Sequence, residues 1–119
     1  MIYDDLLNIP YKEGGRDSNG IDCYGIVLEC CKRNGTELNN ILENKTSLLE
    51  KDLSKYRASF NVKEIEMPKA GCVVQCVYFD EIHIGFMIDK KLCIHATKYG
   101  VRVTPVIALK NKKYYEVIK

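Results

Sequence analysis

The chain reads as α+β, with helices in the N-terminal third packed on an antiparallel sheet or partly closed barrel of about five to six strands. Three observations predict this. Apolar residues recur at helical spacing up to about residue 58, and from Asn61 onward the period becomes two. The later runs are short, rich in β-branched and aromatic residues, and bounded by turn formers. The links between them are far too short for the crossovers that parallel strands need. With 119 residues, 46% hydrophobic and 29% charged, the chain is expected to form one domain over 1–119. Such a domain buries a core without help from disulfides or a structural metal.

In chain order, Met1 to Ile9 suggests a short helix that Pro10 ends or redirects. The run YKEGGRDSNG, with three glycines and several turn formers, reads as an irregular loop. Cys23, Ile26, Val27 and Cys30 then fall on one helical face, with Glu29, Lys32 and Arg33 on the other. Asp22 is the expected N-cap and Asn34-Gly35 the stop, which predicts a helix from about Asp22 to Asn34. Residues 46–58 suggest a second helix with Leu48, Leu49, Leu53 and Tyr56 along one side. The strand-like runs are VKEIEM, CVVQCVYF, IHIGFMI, KLCIHAT, VRVTPV and KYYEVI. They are separated by Pro68, Asp80-Glu81, Asp89-Lys90, Tyr99-Gly100 and Lys110-Asn111.

A net charge of +2 does not advertise a nucleic-acid surface, and Lys110, Lys112, Lys113 and Lys119 read as a solvated edge. No apolar run is long enough to span a bilayer. The N-terminal MIYDDLLNIP has neither a basic n-region nor an apolar h-region. Synthesis in the cytoplasm without a signal peptide is the expectation. Six cysteines in so short a chain raise the question of disulfides, but those need a secretory context. The thiols form no CxxC pair, and the two histidines lie twelve residues apart, spacings that do not suit zinc. Cys30, Cys31, Cys72, Cys76 and Cys93 therefore read as small buried hydrophobes.

Cys23 differs from these. It sits where a glycine-punctuated loop feeds into a helix, and the partial positive charge of a helix N-terminus favours thiolate over thiol. That makes it a candidate nucleophile. The two histidines, His83 and His95, each lie on the minority face of a strand: Ile82, Ile84, Phe86 and Ile88 face one way, His83, Gly85 and Met87 the other. If residues 88–90 form a three-residue loop, 87 pairs with 91 and 83 with 95, bringing Cβ atoms within about 5 Å. A two-residue loop would put the histidines on opposite faces. A histidine beside a thiolate serves as general base and acid, and a polar group on its far nitrogen orients it.

The ordered segments Tyr11-x-x-Gly14-Gly15, Asp22-Cys23-Tyr24-Gly25, His83-Ile84-Gly85 and Ile94-His95-Ala96 resemble the NlpC/P60 cysteine peptidases over nearly the whole chain. Gly100-Val101-Arg102-Val103 and the terminal YYEVI look like that family's last two strands. The resemblance implies a papain-like fold in which Cys23 is the nucleophile, His83 the base and His95 its orienting partner. Tyr11 matches the family tyrosine near the nucleophile, beside the oxyanion. Asp22 matches the acidic residue implied to contact the peptide stem, although capping the helix would account for it equally well. The implied substrate is a bacterial peptidoglycan stem peptide, cut between D-γ-glutamyl and a diamino acid. No metal or organic cofactor is implied.

Tyr24 stands where many wall-directed members have serine, and it resembles the bulky aromatic of phage-tail-associated members, as does the loop IPYKEGGRDSNGIDCYG. Tyr24 thus joins Tyr11 and Asp22 as an expected oxyanion or substrate neighbour. Gly71-Cys72 replaces the family's usual G-D. The expectation is a phage or prophage tail enzyme acting at the wall, with other tail proteins as partners. Two alternatives stand beside it: a structural tail or tail-assembly protein with weak or lost activity, and an amidase or acyltransferase using the same triad.

Overall fold

The computed structural model describes residues 3–38, 61–78 and 80–118; the expected helix over 46–58 lies outside them. One α-helix, α1 (Cys23–Arg33), and eight strands make up the described fold, together with short 3-10 turns at Asp4–Leu6 and Val106–Ala108. Two very short strands, β1 (Arg16–Asp17) and β2 (Gly20–Ile21), form a hairpin within the glycine-rich loop. The other six are β3 (Val62–Ile65), β4 (Val73–Tyr78), β5 (Glu81–Met87), β6 (Leu92–Thr97), β7 (Gly100–Pro105) and β8 (Lys110–Val117). They form one antiparallel sheet in the order β3-β8-β4-β5-β6-β7. The sheet is open rather than barrel-like, with β3 and β7 at its edges.

α1 forms where its capping chemistry and apolar face coincide. The Asp22 carboxylate accepts from the Gly25 N–H at 2.7 Å, satisfying one of the orphan donors of the first turn. Cys23, Ile26, Val27 and Cys30 bury the face that packs on β5 and β6. Gly35, at φ 81°, ends the element. On the helix side the core holds Val73, Ile84, Phe86, Ile94, Ala96 and Tyr115. The opposite sheet face buries Val74, Cys76, Met87 and Cys93 against Val106 and Leu109.

The N-terminal segment differs from the expected helix. Only Asp4–Leu6 forms a 3-10 turn; Leu7 is extended and Asn8 adopts φ 70°. A nine-residue helix has little stability of its own, and here the backbone gains partners from the sheet edge instead. The Asn8 N–H donates to Val101 O, and the Val101 N–H donates to Ile9 O. Tyr3 and Leu6 still reach the core. The last strand is also longer than expected. Lys110-Asn111 lies inside β8 rather than separating two elements, with Asn111 at φ 52° where the register against β4 shifts. A short polar side chain tolerates the left-handed conformation, so the chain bulges and continues.

The hairpin joining β5 and β6 sets the histidine geometry, and its register differs from the expected one by two residues. Phe86 pairs with Ile94 and Met87 with Cys93, and the Ile88 N–H donates to Leu92 O, so the loop is 89–91 rather than 88–90. Asp89 stabilises it by accepting from the Lys91 and Leu92 N–H groups at 2.7 and 2.8 Å. An even shift preserves sidedness, which leaves His83 diagonal to His95 on the same face. Gly85 then lies beside His95: a Cβ there would collide with Cys93 Sγ and sit 3.2 Å from His95 Cβ. Gly85→Ala is expected to destabilise the protein by about 1–3 kcal/mol, read as a lower urea midpoint at unchanged slope.

Candidate active site

Cys23 is the first residue of α1 and is buried. Its helix packs on β5 and β6, the strands that carry His83 and His95. His83 Nε2 lies 2.9 Å from His95 Nδ1, and His95 Nε2 lies 2.7 Å from Thr104 Oγ1. The result is a polar chain across three strands, from β5 through β6 to β7, buried at its two histidines and partly buried at Thr104. Tyr78 on β4 packs against both rings, nearly parallel to His83 at 5.0 Å between centroids and edge-on to His95 at 5.4 Å. These contacts hold the imidazoles in fixed planes.

Burial lowers the pKa of His95 to about 4, so at neutral pH it is an uncharged imidazole. It then has one N–H and one lone pair to divide between His83 and Thr104. Cys76 pairs directly across from His83 and shares its face, yet burial pushes its thiol up to about 12. The same cause raises Cys30 to about 12 and Cys31 to about 11, and also raises Cys72 and Cys93. These five thiols stay protonated near neutral pH and pack as apolar groups.

Tyr11 and His83 line one cleft of about 290 Å³, together with Tyr78, Glu81, Ala96, Thr97 and Lys98. Tyr11 bridges backbone-to-backbone with Ile21, two residues before Cys23. Burial, followed by the charges of Cys23 and Asp22, raises its hydroxyl to about 12, so it remains a proton donor. Among the described residues, no group of three or more His, Cys, Asp or Glu side chains is arranged to hold a metal ion. No described helix is long and apolar enough to cross a membrane.

Asp22 and Tyr24 are not among the residues lining the cleft. Asp22 is fully buried. Besides capping α1, it accepts from Arg16 Nη1 at 2.7 Å and from the Gly14 N–H at 3.1 Å. Tyr24 is also buried, with the Arg16 guanidinium 5.3 Å above its ring. Three residues of the site were not singled out in sequence: Arg16, Tyr78 and Thr104. The alternation in VRVTPV places Thr104 on the face of its neighbours at 102 and 106, but linking that face to His95 required the β6–β7 register, in which His95 pairs with Arg102.

The sequence pattern of the NlpC/P60 family matches residues 8–118. Among solved structures, the chain is similar to the NlpC/p60 domain of the peptidoglycan hydrolase SagA. The TM-score is 0.61 at 19% sequence identity, covering 97% of this chain and 92% of that one. At this identity the likeness speaks for the fold. No curated protein matches the chain.

Proposed function

The chain belongs to the NlpC/P60 family, and from that premise we propose that it is a cysteine endopeptidase acting on peptidoglycan. The bond cut is the amide between D-γ-glutamyl and a diamino acid in the stem peptide. The observation that carries this reading is the His83–His95–Thr104 chain together with Cys76, which pairs directly across from His83 and lies within electrostatic reach of Cys23. With Nε2 of His83 turned to His95, Nδ1 is the nitrogen that takes the Cys23 proton.

The thiolate attacks the γ-glutamyl carbonyl and breaks its π bond. The oxyanion that forms is met by the Cys23 backbone N–H and the Tyr11 hydroxyl. The His83 imidazolium returns its proton to the leaving amine, and a thioester to Cys23 remains. Water, deprotonated by His83, then releases the glutamyl carboxylate. Neutral His95 accepts the His83 Nε2–H at Nδ1 and donates its own Nε2–H to Thr104, which fixes the tautomer that makes Nδ1 of His83 the proton acceptor. The cleft carries both a carboxylate, Glu81, and an ammonium, Lys98, which suits a stem peptide bearing both charges.

Incubation of the purified protein with muropeptides of several wall types should expose a new amine terminus on the diamino acid. Unaltered digests across all of them would overturn the assignment. We place the enzyme in a phage or prophage tail, working at the wall alongside other tail proteins, because of Tyr24 and the loop that precedes it. Detection of the protein in purified virions checks this, and its absence there would count against it.

A further inference from the structure

We infer that Arg16 is a positioning residue for the Cys23 thiol, acting through Asp22. The inference takes from the proposed function that Cys23 is the nucleophile, and it concerns what makes a thiolate tolerable at that place. A helix N-terminus favours thiolate, but a buried carboxylate one residue away opposes it by like-charge repulsion. Asp22 is such a carboxylate, fully buried and needed to cap α1. Arg16 Nη1 reaches its Oδ1 at 2.7 Å and also donates to Gly15 O at 2.8 Å, while the Tyr24 ring lies under the guanidinium. The cation is therefore held from three sides. The Arg16–Asp22 pair is neutral overall, so the cap is kept and the positive end of the helix acts on Cys23 without opposition.

This assigns Tyr24 a part as well: an aromatic at this position is the floor on which Arg16 rests. The other ionisable groups near Cys23 come from the loop and from strands of the sheet. Tyr11 and Cys76 lie within electrostatic reach of the thiol and keep their protons near neutral pH. His95 on β6 is uncharged there. His83 on β5 supplies the imidazole and is present in every variant below.

The test is the pH dependence of iodoacetamide alkylation at Cys23 in the full chain, with the modified site read by peptide mass spectrometry. Arg16→Gln leaves the buried carboxylate uncompensated and is expected to raise the alkylation midpoint by about one pH unit, a tenfold change in thiolate below the midpoint. Asp22→Asn keeps a capping side chain and leaves the guanidinium, and is expected to lower the midpoint. The double variant Arg16→Gln/Asp22→Asn should return close to the unsubstituted protein, and Arg16→Lys should stay within a few tenths of a pH unit of it. A purely structural role predicts the reverse for the double variant, with a displacement at least as large as that of Arg16→Gln. That outcome, or an unmoved midpoint in Arg16→Gln, overturns the inference. Should Arg16→Gln fail to fold, an unchanged or raised midpoint in Asp22→Asn overturns it equally. Failure of the hydrolase reading would appear separately, as absence of muropeptide cleavage by the unsubstituted protein, whatever the order of the midpoints.

Discussion

Cys23→Ala is expected to lower muropeptide hydrolysis by about ten-thousand-fold or more, with the fold intact by circular dichroism. The size follows from the role: without the sulfur no thioester forms, and only binding and oxyanion contacts remain. His83→Ala should cost about as much, and the double variant scarcely more, because nucleophile and base act as one unit. Cys72→Ala is the control. Cys72 is buried among Val74, Met87 and Leu109 and does not line the cleft, and burial raises its thiol, so its loss should affect stability and leave turnover near the starting value. Comparable losses of turnover in Cys23→Ala and Cys72→Ala would sink the nucleophile assignment. Rates are to be measured as initial appearance of the new amine, at equal concentrations of folded protein set by absorbance.

The second large effect is expected at His95. His95→Ala removes the acceptor for the His83 Nε2–H and leaves a buried void, which should lower kcat about a hundredfold. His95→Asn restores an acceptor, and should keep activity within roughly tenfold of the unsubstituted protein if orientation is what His95 supplies. Equal losses in the two variants would argue against that role. The same residue ties stability to pH. Its folded pKa, about 4, lies below that of an exposed histidine. As pH falls the unfolded chain therefore binds the proton first. The contribution is full above about pH 6.5 and drains away down through about pH 4, by about 3 kcal/mol in all. Urea unfolding at pH 7, 5.5 and 4 should show this slope in the unsubstituted protein and a flatter one in His95→Asn; parallel slopes would count against it.

Local sequence was enough to place α1, because its cap, its apolar face and its stop residues agree with one another within a dozen positions. The strand-rich region after Asn61 was legible for the same reason: alternation is a local property. The face shared by His83 and His95 was legible too, but their register was not. It depended on whether the loop closed at 88–90 or at 89–91, and the Asp89 side chain, accepting from two N–H groups of the turn, favours the latter. The N-terminal helix failed as an expectation because hydrogen bonds to Val101, some ninety residues away, outweigh a weak local preference. Continuation of β8 through Asn111 was hidden because a turn former and a bulge former are the same residue until a partner strand is present.

By itself, then, the sequence determined the α+β order, the helix beginning at Cys23, the sidedness of the histidines and, through the family motifs, the candidate nucleophile and its partners. These depend on propensity, capping and periodicity, which act over a few residues. The open form of the sheet, the two-residue shift that sets His83 diagonal to His95, the Thr104 contact behind His95 and the Arg16–Asp22 pair beneath the helix were decided only in the tertiary structure. Each joins groups on different elements. Their energies come from burial and from hydrogen bonds that exist only once those elements have packed together.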